Sequence, residues 1–206
     1  MRENINLIFP RIGAYVIDII IVTILCNLIS NIRFLNPSYD EFTATSEKYS
    51  DVYKDYIDGD IKIEEFNDKA ESLTLKLYRY GTSNYVISLI TLIAYFGIFQ
   101  KYNNGQTIGK KLMKIRVVGI DDGNVPIYMM ILRILPMYIF GFNGMFCIIA
   151  CIIFPHILAS NVEIVISSIS IINILLGFID IEFALARKDK RSLHDLLSKT
   201  KVIEVK

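Results

Sequence analysis

Twenty-one consecutive residues, Ile12 to Ile32, contain a single charged side chain, Asp18. As a helix rising ~1.5 Å per residue, the stretch is roughly 31 Å long, the thickness of bilayer hydrocarbon. A second run, about Ser83 to Gln100, carries no charge and places Tyr85, Tyr95 and Tyr102 at or near its ends, as suits a headgroup region. From Ile127 to Ala186 the chain is apolar apart from Arg133, His156, Glu163, Asp180 and Glu182. The break at Pro155-His156 to Asn161 divides it into helices over about 132–155 and 162–186. Pro136 falls near the start of the former, where a missing donor is tolerated.

Composition supports the same class. Charged residues make up 21% of 206 positions, yet they collect in about 40–80, 101–122 and 187–206, leaving long apolar stretches between. The first apolar run continues to Ile32 with no small-x-small cleavage site, so a retained helix is expected rather than a signal peptide. A net charge of +1 supports no general attraction for nucleic acid. Cys26, Cys147 and Cys151 all sit in apolar segments. Cys147 and Cys151 share a helix face, but no His or carboxylate stands at ligand spacing, so neither a disulfide nor a metal site is expected.

Loop charges orient the spans. Residues 33–80 carry seven basic against eleven acidic side chains, residues 101–126 five against two, and residues 187–206 seven against three. The positive-inside rule places the last two in the cytoplasm and the first outside, giving four spans with both termini inside. The outside loop reads as two amphipathic helices, about Asp40 to Ile57 and Ile61 to Tyr80, around a turn at Asp58-Gly59-Asp60. This hairpin, 40–80, is a candidate surface for a protein partner. Its acidic turn lacks EF-hand spacing, because Gly59 is not the sixth residue of a ligand series.

In the cytoplasmic loop, Leu112 to Ile120 alternates and is β-branched, Asp121 to Asn124 suits a tight turn, and Val125 to Tyr128 is a candidate return strand. Thr200 to Val205 is strand-like too, so a small sheet is expected to tie the C-terminal tail to the loop between helices two and three. Pro126 to Arg133 suits a short interfacial helix.

Several motifs bear on chemistry. Gly105-Gln-Thr-Ile-Gly109-Lys110-Lys111 looks like a phosphate loop but has three residues between its glycines, and Lys111 stands where Ser or Thr is needed. A turn-rich cytoplasmic exit from helix two is the plainer reading. Asp18 is the sharpest residue, because a carboxylate within a span costs a few kcal/mol and calls for a partner or a wet cavity. Arg11, two turns earlier, and Arg133 are candidate partners. Three readings follow: a structural pair or triad with Arg11 and Arg133, an ion or proton transport site, or a site for a lipid headgroup or another ligand. Asp180 and Glu182 are expected at a solvated interface, and His156 in a turn. Ser192-x-x-Asp195 has capping-box spacing and starts a short helix. No nucleophile elbow or metal-binding cluster appears, so the sequence predicts neither an enzyme nor a cofactor.

These residues carry a family resemblance. Pro10-Arg11-Ile-Gly-Ala14-Tyr-Val-Ile-Asp18, the Gly105 to Val118 segment, Arg133, and Ser192-Leu-His194-Asp195 through Val202 resemble the RDD family of bacterial membrane proteins, named for one Arg and two Asp. On this match the Arg is Arg11 and the aspartates are Asp18 and Asp195. Trp, common in such proteins, is absent. The resemblance implies a multi-pass protein of the bacterial cytoplasmic membrane, for which ligand transport and sodium–proton exchange are the proposed activities. It also recasts Asp195 as closing a polar cluster with Arg11 and Arg133 that anchors the tail.

The expected fold is an all-α membrane protein with four transmembrane helices, an extracytoplasmic helical hairpin and a small cytoplasmic β element, forming one RDD-like domain. The expected function is transport of ions or a small ligand, or else that of a non-transporting scaffold or partner-binding subunit. If the chain transports, a homo-oligomer is expected, since four helices make a small path and Gly141, Gly144 and Ala150 permit close helix contact.

Overall fold

The first helix, α1, spans Ile8–Ser30. Pro10 lies in its first turn, where no N–H partner is needed. Only Ala14, Asp18 and Val22 are buried, a single stripe four residues apart. Val16, Ile20, Ile24 and Leu28 are exposed, and an apolar surface of that kind is what a bilayer covers. The computed structural model describes residues 7–121, 123–134 and 162–205. Among them, Ile8–Ser30 and Thr82–Tyr102 are long and apolar enough to cross a membrane.

Contacts divide the chain into two units. One gathers Asn27–Ser88 and Phe142–Ser170. Within it, α2 (Tyr39–Asp58) and α3 (Ile63–Tyr80) pack together, with Tyr56 stacked on Phe66 at 4.8 Å and Tyr53 edge-on to the same ring at 6.2 Å. Gly59 ends α2 in the left-handed region (φ 84°), and the Asp60 N–H returns to the Asp55 carbonyl at 2.9 Å. Buried Asn36 donates to the Ser30 carbonyl and to Asn84 Oδ1, both at 2.8 Å.

The other unit gathers Met1–Cys26, Leu89–Gly141 and Ile171–Lys206. Helix α4 (Thr82–Leu92), whose residues 82–88 are counted with the former unit, passes into a π-helix over Ile93–Phe99, which buries Tyr95, Phe96 and Gly97, and a short turn α5 (Gln100–Tyr102) follows. Next come α6 (Ile108–Leu112), strand β1 (Ile115–Gly119) and α7 (Ile127–Ile134). The chain closes with α8 (Val162–Ala186), α9 (Leu193–Leu197) and strand β2 (Thr200–Glu204). The strands pair antiparallel, with Val117 opposite Val202. Ile115, Val117 and Val202 pack with Ala14, Val125 and Met130 into one apolar core.

The sheet joining the middle loop to the tail is thus present, and the short helix expected at 126–133 is α7. The return strand expected at Val125 to Tyr128 is not formed. Val125 is drawn into the core and Ile127 already begins a helix, so the true partner of β1 is the tail. The readings at 135–161 (most of the third span, Cys147, Cys151, His156, Gly141, Gly144 and Ala150) lie outside the described residues.

Candidate functional site

Asp18 has 0% exposure, and both carboxylate oxygens are engaged. Oδ1 accepts from the Tyr95 hydroxyl and from the Gly109 N–H, each at 2.8 Å. Oδ2 accepts from Thr107 Oγ1 at 2.5 Å, and Lys110 Nζ stands 3.7 Å away. The π-helix presents Tyr95, whose hydroxyl also accepts from the Ile108 N–H at 3.2 Å. Thr107 caps α6, taking the Lys110 N–H at 3.3 Å while donating to Asp18. The Gly105 to Lys111 segment does cradle an anion at a helix start, but the anion is the protein's own carboxylate. Two glycines make this possible. A Cβ on Gly109 would lie 2.3 Å from the Ala14 carbonyl oxygen, and one on Gly105 (φ 77°) would lie 2.1 Å from the Val117 carbonyl oxygen.

Asp195, also at 0% exposure, is the centre of a second cluster. Arg133 Nη1 makes a short ion pair with Oδ1, and Arg11 Nη1 reaches Oδ2 at 3.2 Å. The Ser192 N–H donates to Oδ2 at 3.2 Å, the reciprocal bond expected of a capping box. Arg133 Nη1 also donates to Thr200 Oγ1 at 2.6 Å, and Arg11 Nη1 to the Lys190 carbonyl at 2.9 Å. Burial alone would push the Asp195 carboxyl up, but the positive field of Arg133, and then of Arg11, holds it well below the usual carboxylate range. Beside it, Asp180 accepts from the His194 N–H at 3.0 Å and faces His194 Nδ1 at 2.9 Å. Burial, with Arg133 adding to it, pushes the imidazole below its ordinary value, so it is neutral with its proton on Nδ1, facing the carboxylate.

The structure therefore sorts the expected cluster of Arg11, Asp18, Arg133 and Asp195 into two. Arg11, Arg133 and Asp195 meet, whereas Asp18 pairs with neither arginine. Side chains on a helix lean toward its N-terminus, so Arg11 extends away from Asp18 and toward the tail. Asp18 is held instead by Tyr95, Thr107, Gly109 and Lys110, none of them singled out from the sequence as its partner. The capping of α6 by Thr107 was the available signal. Asp180 is buried rather than solvated, because the tail supplies two donors to it, while Glu182 is exposed. Among the described residues no group of His, Cys, Asp or Glu is placed to hold a metal ion.

The two clusters border a cavity of about 260 Å³. Lys110 lines it, its ammonium 3.3 Å from Thr107 Oγ1, 3.5 Å from Gln100 Oε1 and 5.3 Å from the Phe96 ring centre. Burial pulls this amine down to about 8, against the opposing charge of Asp18.

Exposed apolar helices joined to a polar end held by internal aspartates fit a helical membrane protein. The family model of the RDD family matches residues 6–199, and the chain belongs to that family. No curated relative and no solved structure is matched by the chain.

Proposed function

We propose that this chain is a non-transporting membrane component in which both aspartates are structural clasps. Asp18 would fasten the middle loop to the first helix, and Asp195 the tail to Arg11 and Arg133. The carrying observation is the saturation of Asp18: three hydrogen-bond donors and a nearby ammonium surround a carboxylate with no exposure. A transport carboxylate must exchange its cation or proton with water, and such a shell opposes that. In this reading the protein spans the bacterial cytoplasmic membrane four times, at about 12–32, 83–100, 132–155 and 162–186, with both termini inside. The acidic helices at 39–80 stand outside as a partner-binding surface, and the role is binding rather than catalysis.

Sodium–proton exchange is the competing reading. It is favoured by Lys110, an amine that burial pulls down to about 8 and that stands 3.7 Å from Asp18 beside a cavity. Cation-dependent proton flux in liposomes containing the full chain separates the two. No flux from folded wild-type protein, with poor assembly of Asp18→Asn, supports the clasp. Sodium- or potassium-dependent flux that vanishes in a well-folded Asp18→Asn overturns it. Labelling of single cysteines placed at 55 and 188, from outside and then after permeabilisation, tests the sidedness.

A further inference from the structure

The cavity has two chemically distinct ends. Ile8, Ile12, Phe96, Ile134, Ile181 and Ala184 supply an apolar wall, and three cations, Arg11, Lys110 and Arg133, also line it. Ile12 and Ile181 are 47% and 44% exposed, so the apolar wall continues onto exposed apolar surface.

The carboxylates near this cavity are already occupied. Asp18 receives three hydrogen bonds, Asp180 receives two donors from His194, and Asp195 is shared between two arginines. The cations are less well matched. Arg11 Nε is buried with no hydrogen-bond partner, and Lys110 Nζ finds its acceptors only at 3.3 to 3.7 Å. Donors thus exceed acceptors at the polar end, an imbalance that an acceptor-rich group would relieve. The volume equals that of roughly nine waters at ~30 Å³ each, enough for a headgroup and the start of a chain but not for a whole lipid.

We infer that this cavity holds the anionic headgroup of a membrane lipid. The phosphate would sit against Arg11 and Lys110, and the chains would leave past Ile12 and Ile181 into the bilayer. This inference does not rest on Asp18 being structural.

Retention of added lipid by the purified full chain, read by native mass spectrometry, tests it. Phosphatidylglycerol is expected to remain bound at one per chain, at least tenfold more tightly than phosphatidylcholine. Gly177 lines the cavity, and a Cβ there would meet nothing within 4 Å. Gly177→Leu should therefore fill the space and abolish retention while the thermal midpoint is unchanged. Lys110→Gln should weaken retention several-fold. In dimethyl-lysine NMR, phosphatidylglycerol should raise the titration midpoint of Lys110. Equal retention of both lipids, full retention by folded Gly177→Leu, or displacement of the lipid by equimolar glycerol phosphate would each overturn the assignment. The last outcome would mean that a free phosphate, not a lipid, is the ligand.

Discussion

Gly109 and Asp18 are in contact through backbone: the Gly109 N–H donates to Asp18 Oδ1 at 2.8 Å, and a Cβ added to Gly109 would lie 2.8 Å from that same oxygen. The hydrogen bond exists because the side chain does not. Gly109→Ala is expected to displace the loop from α1 at a cost of about 1–3 kcal/mol, the range for overpacking a tight contact. Gly123, whose Cβ would meet nothing within 4 Å, is the control, and Gly123→Ala should be near neutral. Thermal unfolding of both variants in one detergent checks the difference.

Around Asp18 the donors are unequal. Tyr95→Phe removes one hydrogen bond to the carboxylate and strands the Ile108 N–H, so a loss of about 1–2 kcal/mol is expected. Thr107→Val removes the shortest bond to Asp18 and the cap of α6 together, and should cost more. Equal losses in chemical denaturation would contradict the geometry.

Asp195→Asn leaves buried Arg133 and half-buried Arg11 facing a neutral amide, a change of the kind that costs about 3–5 kcal/mol. The loss should appear first in the tail, as faster proteolysis within 187–206 with α1 still protected. A double-mutant cycle with Arg133→Met should show strong coupling, and a cycle pairing Asp18→Asn with Arg133→Met should show almost none.

Acid should release the tail. His194 is held below its ordinary value, so the released tail takes up a proton before the docked tail does, and docking weakens as pH falls through about 6.5. Asp195 is depressed as well. Its contribution is present above the ordinary carboxylate pKa of about 3.9 and is lost below it. Both effects have the same sign. Amide exchange in β2, corrected for intrinsic rate, should accelerate between pH 7.5 and 5.5, and replacing His194 with Gln should flatten that step.

Much of the layout was legible because apolar run length and charge segregation are strong signals. The helix expected over 162–186 lies at Val162–Ala186, and that expected over 61–80 at Ile63–Tyr80. The junction of Arg11, Arg133 and Asp195 was legible only through the family resemblance, since nothing local brings positions 184 apart together. The partners of Asp18 were not legible, for a physical reason. A carboxylate in a span suggests a charged partner, but the burial is satisfied largely by a backbone N–H and two hydroxyls, which carry no charge signature. The π-helix that turns Tyr95 inward left no distinctive pattern either, because its seven residues are apolar or aromatic throughout.

The pairing of β1 with β2 sets an order on synthesis. Strand Ile115–Gly119 and the residues that grip Asp18 are made early, but their neighbours in the tail are among the last residues of this sequence to leave the ribosome. The apolar helices can therefore form while the end that carries the sheet is still unlatched. A nascent chain halted before residue 190 should be integrated yet still protease-sensitive at β1, and completing the tail should convert it to the resistant form in a single step.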